Sequence, residues 1–246
     1  MVSTYLDSLG FIFLAAEAPA LSLLSVEKIR HLSLGFSIVD HVFPGFEAGD
    51  FVVLHGDNVH SLTFALCVRC ELSPEKGGLD SSVVFADGGN SFSPYVIAEI
   101  AQSYGLDSKA VLERIYVSRA FTAYQFSALI LEGLEPFLNS KKSKLLVISN
   151  ITSLFFDRDI PKAEAKDLFM KACSRLSEIV AKKRAIVLVT YVPVRKSRQG
   201  LFFEAVLFGK SNVLVKLKKH GEALNFTLED HPRVKPLSID FPTTYA

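Results

Sequence analysis

Five short runs of apolar and β-branched residues alternate along the chain with four segments of helix length. The runs cover residues 51–55, 82–86, 114–117, 144–149 and 185–191, and the helix-length segments cover residues 61–72, 94–104, 123–138 and 162–183. Runs that lack a polar face are typical of parallel strands buried on both sides, which need helices to cover both faces. The alternation therefore predicts an α/β fold with a mainly parallel central sheet.

The two ends of the chain add shorter predictions. Residues 211–218 and 223–228 flank Gly221 and predict a C-terminal antiparallel hairpin. Residues 10–24 are largely apolar, but they are interrupted by charged and proline residues and are too short to span a bilayer. We expect residues 1–30 to form an N-terminal arm or linker helix, with no membrane span.

Composition limits the number of domains and the kinds of partner. A chain of 246 residues, 49% of them hydrophobic, can bury one full core, so we expect residues 31–246 to form one domain. The formal net charge of +1 gives no global basic excess, so any nucleic-acid contact has to be local. Three cysteines and no charged-then-apolar leader favour a reducing cytoplasm over a disulfide framework. Because no paired histidines accompany Cys67 and Cys70, we expect no metal site.

The junction after the first run bears on nucleotide chemistry. Phosphate-binding loops of the form GxxxxGK[ST] wrap phosphates with backbone N–H groups, neutralise them with lysine and hold magnesium with the final hydroxyl. Residues 56–63 read GDNVHSLT, so Gly56 and Thr63 are in register while Ser61 and Leu62 stand at the second glycine and the lysine. By itself this octet indicates an ordinary strand-to-helix turn.

Longer matches surround the octet in a fixed order. They read LGFSIVD and PGFEAG within residues 34–49, PEKGGL at 74–79, DGGNSFSP at 87–94, EIAQSYGLD at 99–107, IYVSRAF at 115–121 and KLLVISNITS at 144–153. Together they resemble the archaeal RadA recombinases, whose corresponding segments include DTENTFRP, EIAQxxGLD, IYVARAF and KLLIVDSLTS. The resemblance covers residues 30–230. It implies a RecA-like core with helices on both faces of the sheet.

The chain departs from the resembled family where the family's ATP hydrolysis requires particular residues. Leu62 stands for the phosphate-binding lysine, a ligand worth about 1.5–3 kcal/mol. Gly89 stands for the glutamate that activates water, a role worth about 10²–10⁴ in rate. Ser149 stands for the aspartate that orients magnesium. The resemblance therefore implies a pseudo-ATPase without catalytic residues.

An ATPase with an unorthodox site is the alternative, rebuilt for instance from Asp57, His60 or Asp87, although none of them supplies the missing cation. Nucleotide binding without hydrolysis is a separate question. Arg119 matches the arginine that packs on adenine in the resembled family. It could equally be a structural arginine that covers the edge of the sheet at the end of a strand. Thr63 still offers a hydroxyl. We expect no cofactor, with ATP binding weak or absent.

Two loops bind DNA in the resembled family. Residues 155–162 are more acidic than the first of them and contain no glycine, which weakens that site. The second corresponds to the segment after Thr190, where cations next to aromatic residues could grip phosphates and stack the bases of single-stranded DNA. The candidate residues are Arg195, Lys196, Arg198, Phe202 and Phe203. A solvated surface loop is an equal interpretation.

The N-terminal arm offers a protein partner. RadA-type recombinases polymerise when an FxxA segment of one chain inserts its phenylalanine into the neighbouring core, and residues 13–16 read FLAA. Phe13 and Ala16 are therefore candidates for binding a RadA-type recombinase or a second copy of the chain. Packing of the arm on its own core is the alternative.

These observations predict a non-catalytic recombinase paralogue, an accessory or regulatory factor in homologous recombination and DNA repair that binds a recombinase, single-stranded DNA or both. Its degenerate nucleotide site would comprise Gly56, Ser61, Leu62, Thr63, Gly89, Arg119 and Ser149. A working ATPase of the same superfamily is the runner-up. A scaffold that kept only the fold is a third possibility, since a fold does not imply a function.

Overall fold

A computed structural model gives the three-dimensional structure of the chain. It describes residues 30–182, 184–193, 197–221 and 223–242, together with two short backbone segments, Thr4–Leu6 and Ile12–Leu14. None of the helices in these ranges is both long enough and apolar enough to cross a membrane.

Strands and helices alternate through the central part of the chain. The strands are β1 (Thr4–Leu6), β2 (Ile12–Leu14), β3 (His31–Leu32), β4 (Phe46–Glu47), β5 (Phe51–Gly56), β6 (Val83–Asp87), β7 (Ile115–Arg119), β8 (Leu145–Ser149), β9 (Ile186–Tyr191), β10 (Val213–His220), β11 (Ala223–Asp230) and β12 (Leu237–Pro242). The α-helices are α1 (Ser37–Asp40), α2 (Val59–Cys70), α3 (Pro94–Ser103), α4 (Ser108–Glu113), α5 (Ala123–Ala128), α6 (Leu134–Lys141), α7 (Lys162–Ala181) and α8 (Arg198–Lys210). A π turn, Leu129–Gly133, joins α5 to α6.

One eight-stranded sheet organises the fold, in the order β12-β11-β10-β5-β9-β8-β6-β7. All neighbours from β10 to β7 are parallel, and β10, β11 and β12 pair antiparallel at the C-terminus. The predicted α/β fold with a mainly parallel sheet and a C-terminal antiparallel hairpin is thus confirmed. The topology is consistent with a RecA-like core.

The sheet separates two apolar layers, because successive side chains of a strand point to opposite faces. In β5, Val52 and Leu54 pack in the layer covered by α2 and α3, whereas Phe51 and Val53 pack in the layer covered by α5 to α8. The inner strands β5, β6, β8 and β9 are buried almost throughout. Continuous apolar runs follow from this double coverage, which is why the sequence shows them so clearly.

Within the predicted N-terminal arm or linker helix, the two segments that the structure describes are strands rather than helix. The backbone of β1 and β2 forms an antiparallel pair in which Tyr5 lies opposite Phe13. Threonine, isoleucine and aromatic residues favour strands over helices, because branching at Cβ or a ring restricts χ1 in a helix. Ala16 lies outside the described residues.

A second difference concerns the segment after β9, where the sequence analysis expected a basic loop. Its later part is the helix α8, which begins after Ser197. The Ser197 Oγ accepts a hydrogen bond from the Gly200 N–H at 3.0 Å, the usual role of a serine before a helix. Glycine is unfavourable inside helices. Because α8 contains Gly200 and Gly209, the sequence pattern did not indicate a helix here.

A buried arginine fastens the segment between β3 and β4 to the core. Arg69 on α2 is 6% exposed. Its guanidinium donates to the Ser33 carbonyl at 2.8 Å, to the Lys76 carbonyl at 3.2 Å and to the Tyr104 hydroxyl at 3.2 Å, and it also contacts the Ser33 hydroxyl. Charge-assisted hydrogen bonds of this kind are about twice as strong as neutral ones.

We predict that Arg69→Met lowers the free energy of unfolding by about 3 kcal/mol, because the carbonyls of Ser33 and Lys76 and the hydroxyl of Tyr104 would lose their charged donor. Urea unfolding followed by circular dichroism measures the change. Lys109→Met on the exposed face of α4 is the control and should shift the midpoint little. Equal midpoints for the two variants would contradict the role assigned to Arg69.

Candidate functional site

The parallel strands β5, β6, β8 and β9 end at the same edge of the sheet, as their parallel register requires. This edge brings together most of the positions that the sequence analysis assigned to a nucleotide site. Gly56 ends β5, Asp87 ends β6 and Ser149 ends β8. Ligand sites of open α/β sheets lie at this edge.

The turn from β5 to α2 is short. Gly56 has a φ of +102°, and a Cβ atom there would meet the Leu217 carbonyl oxygen at 2.1 Å, so only glycine fits. The Asp57 N–H donates to the same carbonyl at 2.8 Å, and the Asp57 carboxylate accepts the Lys219 N–H at 3.0 Å. Helix α2 then begins at Val59, so residues 59–61 are already helical. Only Asp57 and Asn58 remain as a connecting loop.

Leu62 and Thr63, in the first turns of α2, face the core. Leu62 is 1% exposed and packs in the apolar layer beneath the helix. Thr63 is fully buried, and its hydroxyl donates to the Val59 carbonyl at 2.7 Å. The expectation that Thr63 offers its hydroxyl to a ligand is therefore not met in this arrangement. Ser61 lies on the exposed side of the helix.

A carboxylate without exposed surface organises the loop after β6. Asp87 accepts N–H hydrogen bonds from Gly89 at 3.2 Å, Ser91 at 3.0 Å and Phe92 at 3.1 Å. It also accepts the Ser91 hydroxyl at 3.1 Å, and the Arg119 guanidinium lies 3.3 Å away.

Two opposing influences set the pKa of Asp87. Burial raises it, since the charged form loses its hydration, but the hydrogen bonds from Ser91, Phe92 and Gly89 together outweigh burial. The pKa is lowered, so Asp87 is a carboxylate at neutral pH. Because its oxygens already accept four hydrogen bonds, Asp87 is poorly placed to replace a general base.

Gly89 lies against the turn that follows β8. A Cβ atom at Gly89 would meet the Asn150 side chain, with 2.6 Å to its Cβ and 2.2 Å to its Nδ2. Asn150 has a φ of +51°, and its N–H donates to the Thr190 Oγ1 at 2.8 Å. The volume that a glutamate at position 89 would need is thus filled by Asn150.

Ser149 belongs to a chain of hydroxyl groups. It is fully buried, and its Oγ lies 2.6 Å from the Ser91 Oγ and 3.5 Å from the Thr190 Oγ1. Because the Ser91 hydroxyl donates to Asp87, the Ser149 hydroxyl donates to Ser91. A neutral hydroxyl that is already paired is a poor ligand for magnesium, which prefers carboxylates and phosphates. No group of three or more metal-ligating side chains occurs in the described ranges.

His60 and Arg119 are the cationic candidates next to this edge. Burial lowers the pKa of His60, and the nearby Asp87 charge offsets this only in part, so the imidazole is neutral at pH 7. Its Nδ1 is buried and has no hydrogen-bond partner in the described part of the chain. Arg119 is 37% exposed at the end of the edge strand β7, where it pairs with Asp87. Neither residue stands where the phosphate-binding lysine was expected.

The structure separates the candidate DNA-binding residues. Arg198 is exposed in the first turn of α8, while Arg195 and Lys196 lie outside the described residues. Phe202 is partly buried, and the Lys166 Nζ lies 4.8 Å from its ring centroid.

The prediction that Phe203 stacks on a base is wrong. Phe203 is fully buried, and its ring lies 4.5 Å from that of Phe169 and 6.0 Å from that of Phe155, centroid to centroid. Consecutive residues of a helix point about 100° apart, so Phe203 faces the core while Phe202 faces its rim.

An apolar groove that was not predicted from the sequence runs along the outer edge of the sheet. It has a volume of about 310 Å³ and lies beside β7, whose outer edge pairs with no described strand. Val117 and Phe137 are each 40% exposed at this groove. The lining residues are Val84, Tyr116, Val117, Ser118, Leu129, Gly133, Leu134 and Phe137.

The π turn forms one wall of this groove. The Arg175 guanidinium donates to the Leu131 carbonyl at 3.1 Å, which satisfies a carbonyl of the irregular turn. A Cβ atom at Gly133 would meet only the Leu129 Cδ1, at 3.3 Å, so the glycine leaves open space. An isolated glycine within a helical pattern was the one sequence signal for this site.

We predict that Gly89→Glu lowers the free energy of unfolding by about 1–3 kcal/mol, because the new side chain overlaps Asn150. The double variant Gly89→Glu/Asn150→Gly should recover most of this loss, since glycine removes the obstruction and suits the φ of +51° at position 150. Thermal unfolding gives both values. Gly209→Glu, at a helical site with open space around it, is the control. A double variant no more stable than Gly89→Glu would contradict this packing.

Comparison with known proteins places the chain in a family. The model of the Rad51 family matches residues 27–205. Similar proteins include "DNA repair protein RAD51 homolog 1" of Arabidopsis thaliana, 28% identical over 133 residues, and "Meiotic recombination protein DMC1 homolog A" of Oryza sativa subsp. japonica, 28% identical over 144 residues. These matches cover 52% and 57% of this chain but only 39% and 42% of the two relatives. Since the family model spans well over half of the sequence, the chain belongs to the Rad51 family of recombination and DNA-repair proteins.

Proposed function

We propose that this chain is a non-catalytic member of the Rad51 family, an accessory or regulatory factor in homologous recombination and DNA repair. One observation carries the proposal: Leu62, at the position of the phosphate-binding lysine, is 1% exposed and packed in the core. A leucine offers no charge to a phosphate. The helix that holds it begins three residues before Leu62, so no open loop is left to wrap a triphosphate.

The neighbouring positions support the same conclusion. Gly89 has no side chain that could activate a water molecule. Asn150 occupies the space that a side chain at this position would need. At Ser149 the hydroxyl is engaged with Ser91. Loss of a general base alone typically costs about 10²–10⁴ in rate, and here the cation and the metal ligand are replaced as well.

An ATPase with an unorthodox site remains the alternative function. Such a site would need a cation near the end of β5. His60 is neutral at pH 7, and Arg119 is engaged with Asp87. The described residues therefore favour a chain that does not hydrolyse ATP.

We predict that the purified chain releases no phosphate from ATP above background, with or without single-stranded DNA. Isothermal titration calorimetry with ATP and magnesium should show weak or no binding. A catalytically active Rad51-family recombinase measured in parallel is the positive control. Micromolar ATP affinity or DNA-stimulated phosphate release would overturn the proposal in favour of the unorthodox ATPase.

The groove beside β7 supports a role in protein binding. It combines a strand edge that pairs with no other strand in the described ranges with an apolar pocket. These are the two elements by which an extended segment docks as an added strand with one side chain anchored. We infer that it receives a phenylalanine-bearing segment of another Rad51-family chain, a recombinase or a second copy. Its volume of about 310 Å³ is ample for a phenyl ring.

We predict that Gly133→Leu abolishes co-purification with a Rad51-family recombinase, because the leucine side chain would fill the groove from the open side of the π turn. Gly209→Leu on α8 is the matched control and should leave co-purification unchanged. Circular dichroism confirms that both variants are folded. Retention of the recombinase by Gly133→Leu would exclude the groove as the docking site.

Phe13 remains the candidate for the reciprocal contact, in which this chain supplies the anchoring segment. If it does, Phe13→Ala disrupts the association even though the groove is intact. Single-stranded DNA is a further proposed partner, supported by the exposed Arg198 at the start of α8.

A further inference from the structure

Two arginines and a lysine lie beside the outer edge of the sheet, and both arginines are paired with acidic side chains. Arg114, just before β7, lies 3.6 Å from the Asp80 carboxylate and 3.8 Å from the carboxyl group of Glu71, whose pKa burial raises to about 7. Arg119, at the end of β7, lies 3.3 Å from the Asp87 carboxylate. The lysine is Lys141, the last residue of α6. In the part of the chain that the structure describes, Lys141 forms no ion pair, because no carboxylate lies within 4 Å of its Nζ.

Lys141 is instead held over two aromatic rings. Its Nζ lies 4.5 Å from the ring centroid of Tyr116 and 5.6 Å from that of Phe137. The two rings meet edge to face at 5.6 Å. Because Tyr116 and Phe137 both line the groove, the ammonium group is fixed at the groove's rim.

This arrangement prepares Lys141 to bind an anion. A lysine in water loses side-chain entropy when it forms an ion pair, which is why exposed pairs contribute little. Contact with the rings restricts the Lys141 side chain before any partner arrives, so less of that cost falls on binding. The rings and an apolar occupant also exclude water from one side of the ammonium group, which strengthens its attraction to a carboxylate.

We propose that Lys141 is a specificity-determining residue of the groove, which selects a phenylalanine-bearing segment that also carries an acidic side chain within reach of Lys141. The inference rests on the docking function proposed above and adds the charge of the occupant to it. The ammonium group attracts a glutamate or aspartate and repels a lysine or arginine at the same position, so it acts against wrong partners as well as for the right one.

The chain itself contains a segment of the required chemistry. Phe13 is followed four residues later by Glu17, the only acidic residue between Ser8 and Val26. A synthetic peptide of residues 9–19, LGFIFLAAEAP, is therefore a suitable probe. The whole 246-residue chain with Phe13→Ala serves as the host protein, so that its own arm does not compete with the peptide.

Fluorescence anisotropy of the labelled peptide measures the affinity. Lys141→Met keeps the aliphatic stem and should weaken binding about two- to fivefold, the range of an exposed ion pair. Lys141→Glu should weaken it about tenfold or more, since repulsion replaces attraction. A peptide with Glu17→Lys should bind the Lys141→Glu host more tightly than it binds the Lys141 host. This reversal of preference would not follow if Lys141 merely stabilised the end of α6.

The controls separate this inference from the docking function on which it rests. Lys109→Met removes an exposed lysine from α4 and should leave the affinity unchanged. If Gly133→Leu abolishes peptide binding while both Lys141 variants bind normally, the groove is the docking site but the inference about Lys141 is wrong. If Gly133→Leu binds as well as the parent, or the peptide fails to bind at millimolar concentration, the docking proposal fails and the inference with it.

Discussion

The buried carboxylate of Asp87 connects the strand ends and loops at the edge of the sheet where the candidate site lies. It ends β6, accepts the N–H groups of the loop that follows and pairs with Arg119 at the end of β7. Through the hydroxyl of Ser91 it connects to Ser149 at the end of β8. A buried charge is tolerated only when it is paired and hydrogen-bonded, so the loop conformation and the ionisation of Asp87 depend on each other. The positions of Gly89 and Arg119 follow from this one group.

Much of the fold could be predicted because the strands that matter are buried on both faces. The four residues of β8 before Ser149 are all apolar, and all five residues of this strand are buried, so no alternative pattern competes with a parallel strand. The boundaries of the helices could be predicted less accurately from the sequence. The sequence indicated a helix from Ser61, whereas α2 begins at Val59. That difference is small in length, yet it replaces an open loop by a helical turn at the point where phosphate binding would be decided.

The candidate site could be located but not characterised from the sequence. Leu62, Gly89 and Ser149 were assigned by resemblance, and the common edge of a parallel sheet explains why they converge. Burial could not be foreseen for single aromatic residues. Phe202 and Phe203 are neighbours in the same basic and aromatic segment, and the helical rotation between them places Phe202 at the rim of the core and Phe203 inside it. The groove escaped notice because ordinary apolar residues from several separate elements form it, and no motif links them.

The contacts of Asp87 also help to position the groove. In the β6–β7 register Asp87 lies opposite Arg119, and the Asp87 carbonyl accepts the Ala120 N–H at 3.2 Å. These contacts fix the end of β7, and β7 supplies Tyr116 and Val117 to the groove. On our proposal the residues around Asp87 no longer serve phosphate chemistry, but they still set the position of the strand edge. Our proposal thus gives a reason for Asp87 to be kept where the catalytic residues are replaced, because the edge of β7 proposed for docking depends on that carboxylate as well.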